Sequence, residues 1–144
     1  MSAPQLKLEN QLCFPLYACG RRIVSLYTPY FKPLGLTYTQ YVAFLALWEQ
    51  DGQTVGELCR RLYLDNGTLT PLLKKMEAAG WLERRRSRAD ERVVTVHLTE
   101  AGWDMRKKVA DIPNCVAGEL TLSPEDAMKL HSLLHKLLEG MEEA

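Results

Sequence analysis

The residues best equipped to do chemistry lie between positions 65 and 92. Arg84, Arg85, Arg86, Arg88 and Arg92 fall within nine residues and face only Asp90 and Glu91, a local charge of +3 in a chain whose total is zero. Just upstream, Asn66, Thr68, Thr70, Lys74 and Lys75 recur at spacings that expose one face of a helix, while Leu69, Leu72, Leu73 and Met76 turn inward. Asparagine can read an adenine edge, threonine a thymine methyl or a phosphate, and lysine and arginine phosphates. Four cysteines, Cys13, Cys19, Cys59 and Cys115, are the remaining reactive groups. They have no Cys-x-x-Cys pairing and no histidine at zinc-finger spacing, so they read as free thiols.

The elements that must hold these groups follow from local signals. Asp65 or Asn66 caps a helix with Pro71 in its early turns, and Gly80 ends it. Trp81 to Arg86 and Val93 to Leu98 are β-rich runs around a charged tip. Thr54 with Glu57 forms a capping box for a short helix, Val55 to Leu62, and Thr37 with Gln40 forms another for an apolar helix closed by Gly52. Leu6 to about Phe31 reads as a long helical stretch interrupted by Pro15 and Pro29, with Asn10 as a cap. Thr99 and Gly102 open a helix running to about Ala110, and Ile112-Pro113 marks a bend. Ser123-Pro124-Glu125-Asp126 starts a last helix, whose Leu130, Leu133, Leu134, Leu137, Leu138 and Met141 form an apolar stripe. A stripe of this kind on a small domain calls for a partner, and a two-fold homodimer is expected. The fold class is mainly α with a small β-hairpin, a winged helix-turn-helix whose dimer interface is formed by the N- and C-terminal helices. A single domain spans 1–144, with dimerisation helices near 6–33 and 100–143 and a DNA-binding lobe near 54–98.

Composition excludes other classes. The chain has 144 residues, 47% hydrophobic, with no apolar run long enough to span a membrane and no signal-peptide pattern, so a cytoplasmic location is expected. Acidic residues collect at Glu139, Glu142 and Glu143, far from the arginines, and local field outweighs total charge in binding. His131 and His135 share a helix face but lack a third ligand, so they read as surface histidines. Neither a metal nor a cofactor is expected.

The chain resembles the MarR family of transcription regulators. The family's wing signature stands here as Asp90-Glu91-Arg92 followed by Leu98-Thr99-Glu100-Ala101-Gly102. Three separated motifs, LENQLCF (8–14), LTYTQY (36–41) and LYLDNGTLTPLLKKME (62–77), resemble its organic hydroperoxide-sensing OhrR branch. That resemblance implies a repressor that holds a pseudo-palindromic double-stranded operator as a reduced homodimer and releases it when an organic hydroperoxide oxidises a cysteine. The matching cysteine is Cys13. Tyr27 and Tyr38, by position, hydrogen-bond its sulfur from the other subunit, with Tyr17 as a further pocket wall. Cys115 is the candidate resolving thiol of a two-cysteine mode. The favoured reading of the two is a one-cysteine mode, in which a small cellular thiol caps the sulfur. Arg92 is expected in the minor groove, oriented by Asp90, and Arg84, Arg85, Arg86 and Arg88 on phosphates.

The thiol chemistry is sound independently of that resemblance. A thiolate attacks peroxide oxygen, and the first turn of a helix offers free N–H groups and a favourable dipole. Two other readings stay open: a MarR-type regulator released by a small aromatic ligand without thiol chemistry, and a cysteine peroxidase. The DNA-binding lobe speaks against an enzyme.

Overall fold

The computed structural model describes residues 2–142; Glu143 of the acidic tail lies outside them. In chain order the elements are α1 (Cys13–Phe31), α2 (Tyr38–Glu49), α3 (Val55–Leu62), α4 (Asn66–Ala78), β1 (Leu82–Arg86), β2 (Val94–Leu98), α5 (Glu100–Val109), α6 (Ile112–Glu119) and α7 (Pro124–Met141). They fall into two compact units, one ending at Ile112 and one beginning at Pro113. No helix among the described residues is long and apolar enough to cross a membrane.

The first unit is organised around α2. Thr37 accepts from the Gln40 amide at 3.3 Å and Gln40 Oε1 accepts from the Thr37 amide at 3.0 Å, which closes the expected capping box. Tyr41, Ala43, Phe44, Ala46 and Leu47 are buried, with Phe44 and Leu47 fully so. Each such large side chain contributes roughly 1.5–3 kcal/mol of burial. Leu58 of α3, Leu69, Leu73 and Met76 of α4, Leu82 of β1 and Val96 of β2 complete the core. The second capping box, Thr54 with Glu57, starts α3 as expected. Asp65 rather than Asn66 caps α4, accepting from the Thr68 amide at 2.8 Å. The turn joining α3 to α4 passes through Tyr63 in the left-handed region, at φ 55°.

One expectation is corrected. Asn10 does not cap α1: it lies in a 3-10 turn, Leu8–Asn10, and its Nδ2 donates to the Pro4 carbonyl at 2.9 Å. The helix begins at Cys13 without a side-chain cap, because successive tight turns occupy the preceding residues. The bend expected at Ile112-Pro113 falls where α5 gives way to α6, and Pro113 sits in the first turn of α6, where its missing N–H costs nothing.

β1 and β2 pair antiparallel with Leu82 opposite Leu98, Arg84 opposite Val96 and Arg86 opposite Val94. Buried Gln53 joins this hairpin to α2: its backbone carbonyl accepts from Val96, and its side-chain amide donates to the carbonyls of Ala46 and Gln50. Gly102 lies so near the Trp81 carbonyl that a Cβ would sit 2.1 Å from that oxygen. Trp48 Nε1 donates to the Gly102 carbonyl at 3.0 Å and fixes the same junction. In the second unit, Ser123 caps α7 with Pro124 at its first position, and α7 buries none of its residues.

Candidate nucleic-acid interface and thiol site

A groove of about 590 Å³ opens between the α3–α4 pair and the hairpin. It gathers Asn66, Thr70, Lys74, Arg84, Arg86 and Arg92 with the mouth residues Thr54, Val55 and Gly56, a trio the sequence reading did not single out. Thr68, Lys75, Arg85, Arg88 and Asp90 are outside its lining. A lysine, an amide and a hydroxyl from α4 with arginines from the hairpin make the donor set that duplex DNA takes up.

The arginines divide by strand face. Alternation puts Arg84 on the same side of β1 as buried Leu82 and opposite buried Val96, where a guanidinium needs a partner. Glu77 at the end of α4 supplies it. Its carboxylate accepts from the Arg84 amide at 2.8 Å, from Nε at 3.1 Å and from Nη2 at 2.9 Å. These bonds, the backbone one first, hold the Glu77 carboxyl below the usual carboxylate range. The guanidinium expected on a phosphate thus also ties the hairpin to α4. Arg85, on the outer face, is 3.2 Å from Glu83, and Arg86 donates to the Glu91 carbonyl at 3.0 Å. Arg92 projects freely, with its side chain 91% exposed. Asp90 accepts from both its amide and its Nε, at 3.1 and 3.2 Å, so the carboxylate aims the guanidinium as the sequence reading has it. Those two bonds also hold the Asp90 carboxyl below its ordinary value.

Asn66 has an internal contact as well. The Cys59 thiol donates to its Oδ1 at 3.4 Å, and burial pushes that thiol up, so it stays protonated and serves as a donor.

The thiol set is split between the ends of one helix. Cys13 is the first residue of α1 and is exposed, in a first turn whose N–H groups have no side-chain cap. Tyr27 and Tyr38 come together with ring centroids 5.0 Å apart, packed on Phe31 and Tyr41. Burial first, then the neighbouring Tyr38, raises the Tyr27 phenol above its ordinary value, so it keeps its proton as a donor. Fourteen residues at about 1.5 Å each place Cys13 roughly 20 Å from Tyr27 along α1. One chain thus holds the thiol and the tyrosines apart. Tyr17 is one turn beyond Cys13, 62% exposed, with the Arg21 guanidinium 4.7 Å from its ring centroid. Arg21 escaped the sequence reading, although its i, i+4 spacing from Tyr17 was visible. Cys115 is exposed within α6, and Cys19 is exposed within α1. The rings of His131 and His135 lie 4.2 Å apart, and no cluster of three or more metal-ligating side chains occurs among the described residues.

Comparison with known proteins agrees with this geometry. Residues 25–112 match the family model described as transcriptional regulator SarA/Rot. The organic hydroperoxide resistance transcriptional regulator of Bacillus subtilis is 47% identical over 138 residues, covering 96% of this chain and 94% of that one. Reduced AbfR bound to DNA, a Staphylococcus epidermidis protein, superposes with a TM-score of 0.81 at 36% identity, over 96% of this chain and 98% of that one. The disulfide form of AbfR gives 0.65 at 34% identity, over 93% and 94%. The recognition helix, the hairpin and these relatives together make the chain a DNA-binding transcriptional regulator of the MarR/SarA family, from the organic hydroperoxide resistance branch, and not an enzyme.

Proposed function

We propose that this regulator is a repressor that holds a pseudo-palindromic operator as a reduced homodimer and releases it when an organic hydroperoxide oxidises Cys13. The observation that carries the reading is the placement of Cys13 at the uncapped start of α1, with the Tyr27–Tyr38 pair about 20 Å away at the other end. Such a pair can meet a thiol only from a second chain, which couples sulfur chemistry to the arrangement of the dimer. The Cys13 thiolate attacks the terminal peroxide oxygen; an S–O bond forms, the O–O bond breaks, and the alkoxide takes a proton to leave as alcohol. Sulfur is oxidised to sulfenic acid and the peroxide is reduced.

The sulfenic acid then condenses with a thiol and loses water, which forms a disulfide. Exposed Cys115 or a small cellular thiol are the two chemical sources. A disulfide to Cys115 requires the two Cα atoms to come within about 4.4–6.8 Å. Added oxygen atoms impose no such demand, and in AbfR the overoxidized form is itself bound to DNA. On DNA, Asn66, Thr70 and Lys74 face the major groove, and Arg92, aimed by Asp90, reaches the minor groove.

The test is operator binding before and after one equivalent of cumene hydroperoxide, for the intact protein and Cys13→Ser, with mass spectrometry of both. Release by the intact protein alone, with a mass change at Cys13, is expected. Retention of DNA by both would reject thiol sensing and favour a regulator released by a small aromatic ligand. A Cys13–Cys115 link or an added small thiol in the spectrum assigns the fate of the sulfur.

A further inference from the structure

The contact between Cys59 and Asn66 joins α3 to α4 through a side chain that lines the groove. Asn66, Thr70 and Lys74 recur every four residues on α4, and all three line that groove. Asn66 is also the first residue of α4, and the N-terminal residues of a recognition helix are those that meet base edges. Cys59, on α3, is held in place from two sides. Leu58 beside it is fully buried, and its own carbonyl accepts from the amides of Tyr63 and Leu64 as the chain turns toward α4. From this fixed position the thiol donates across the turn to the oxygen of an exposed side chain seven residues on.

An asparagine amide has two unlike ends, an oxygen that accepts and a nitrogen that donates. A thiol that donates holds the oxygen end; a thiolate would draw the nitrogen instead and turn the amide over. Burial first, then the Asp65 carboxylate, push the Cys59 thiol up against the opposing effect of Arg60, which keeps the proton on sulfur.

We propose that Cys59 is a positioning residue for base readout: its thiol holds the Asn66 oxygen toward α3, so that α4 presents the amide N–H to the major groove. The inference rests on the reading of Asn66 as a base-facing residue and adds which bases it selects. An N–H donor suits the acceptors on guanine, adenine and thymine edges and is mismatched to the amino group of cytosine. Without the thiol the amide turns freely, and its oxygen can accept from that amino group.

The experiment selects duplexes from a pool randomised across both half-sites, using the reduced protein, and sequences the bound fraction. It is run on the intact protein and on Asn66→Ala, Cys59→Ala and Cys59→Ser. The intact protein is expected to exclude cytosine at one position of each half-site, which Asn66→Ala identifies by losing that exclusion alone. Cys59→Ala should raise cytosine there about three- to tenfold, the range of one hydrogen bond, with every other position unchanged. Cys59→Ser keeps a hydroxyl donor and should restore the exclusion. A Cys59→Ala profile identical to the intact one would overturn the proposal. So would a loss of preference spread evenly over all positions, the mark of a thiol that only packs the lobe. An unchanged profile for Asn66→Ala would reject Asn66 as a base reader, and this inference with it.

Discussion

Gly102→Ala should destabilise the protein by about 2–4 kcal/mol, although alanine is the better helix former. The helix preference alone would favour the variant by roughly 0.5–1 kcal/mol, since Gly102 lies in the first turn of α5. Against this, the new Cβ would sit 2.1 Å from the Trp81 carbonyl oxygen and 3.1 Å from Leu98 Cδ2. The first contact is with backbone, so no side-chain rotation relieves it and the junction must open. Overpacking of this kind costs about 1–3 kcal/mol. Opening also strains the Trp48 Nε1 bond to the Gly102 carbonyl and the Thr99 amide bond to the Trp81 carbonyl, 3.0 and 3.1 Å long. Each contributes about 0.5–1.5 kcal/mol. Urea unfolding followed by tryptophan fluorescence measures the change directly, as a lower midpoint at unchanged slope. A midpoint equal to or above that of the parent would refute the steric argument.

Other expectations follow from the interface and the second unit. Arg92→Ala should weaken operator binding by roughly 1–3 kcal/mol, read from isotherms at fixed salt; an unchanged isotherm removes Arg92 from the interface. The Glu77 carboxyl titrates below its ordinary value when folded. The Arg84 clamp is therefore fully present above about pH 4.3, the ordinary glutamate value, and is lost as pH falls through the lowered folded one. The Arg84 amide resonance should report that midpoint, and a transition at or above the ordinary value would contradict the clamp. Leu133 and Leu137 are exposed on α7, and replacing both with lysine should give monomers by light scattering if this helix forms the dimer seam. Persistence of a dimer would move the seam elsewhere.

The parts legible in the sequence were those governed by near neighbours. Thr37–Gln40, Thr54–Glu57 and Ser123–Asp126 are three apart, and each cap formed where its spacing put it. Asn10 misled because the same side chain can close a local turn, and the Pro4 carbonyl outcompeted the helix. Arg84 was hidden in a run of like residues. Only the strand register, with Leu82 and Val96 on its face, separates it from Arg85. Gln53 carried no signal, since its partners are backbone carbonyls at the end of α2. In the thiol site, Tyr27 and Tyr38 came from motif likeness, and no local rule would have joined residues from two elements.

The distance between Cys13 and Tyr27 has a genetic consequence. If each site takes its thiol from one chain and its phenols from the other, a cell making both Cys13→Ser and Tyr27→Phe alleles would assemble mixed molecules. In those, one site would carry both lesions and its twin neither. Two defective alleles could then restore a response that each alone has lost, and the shortfall from full recovery would count how many intact sites one operator needs to let go.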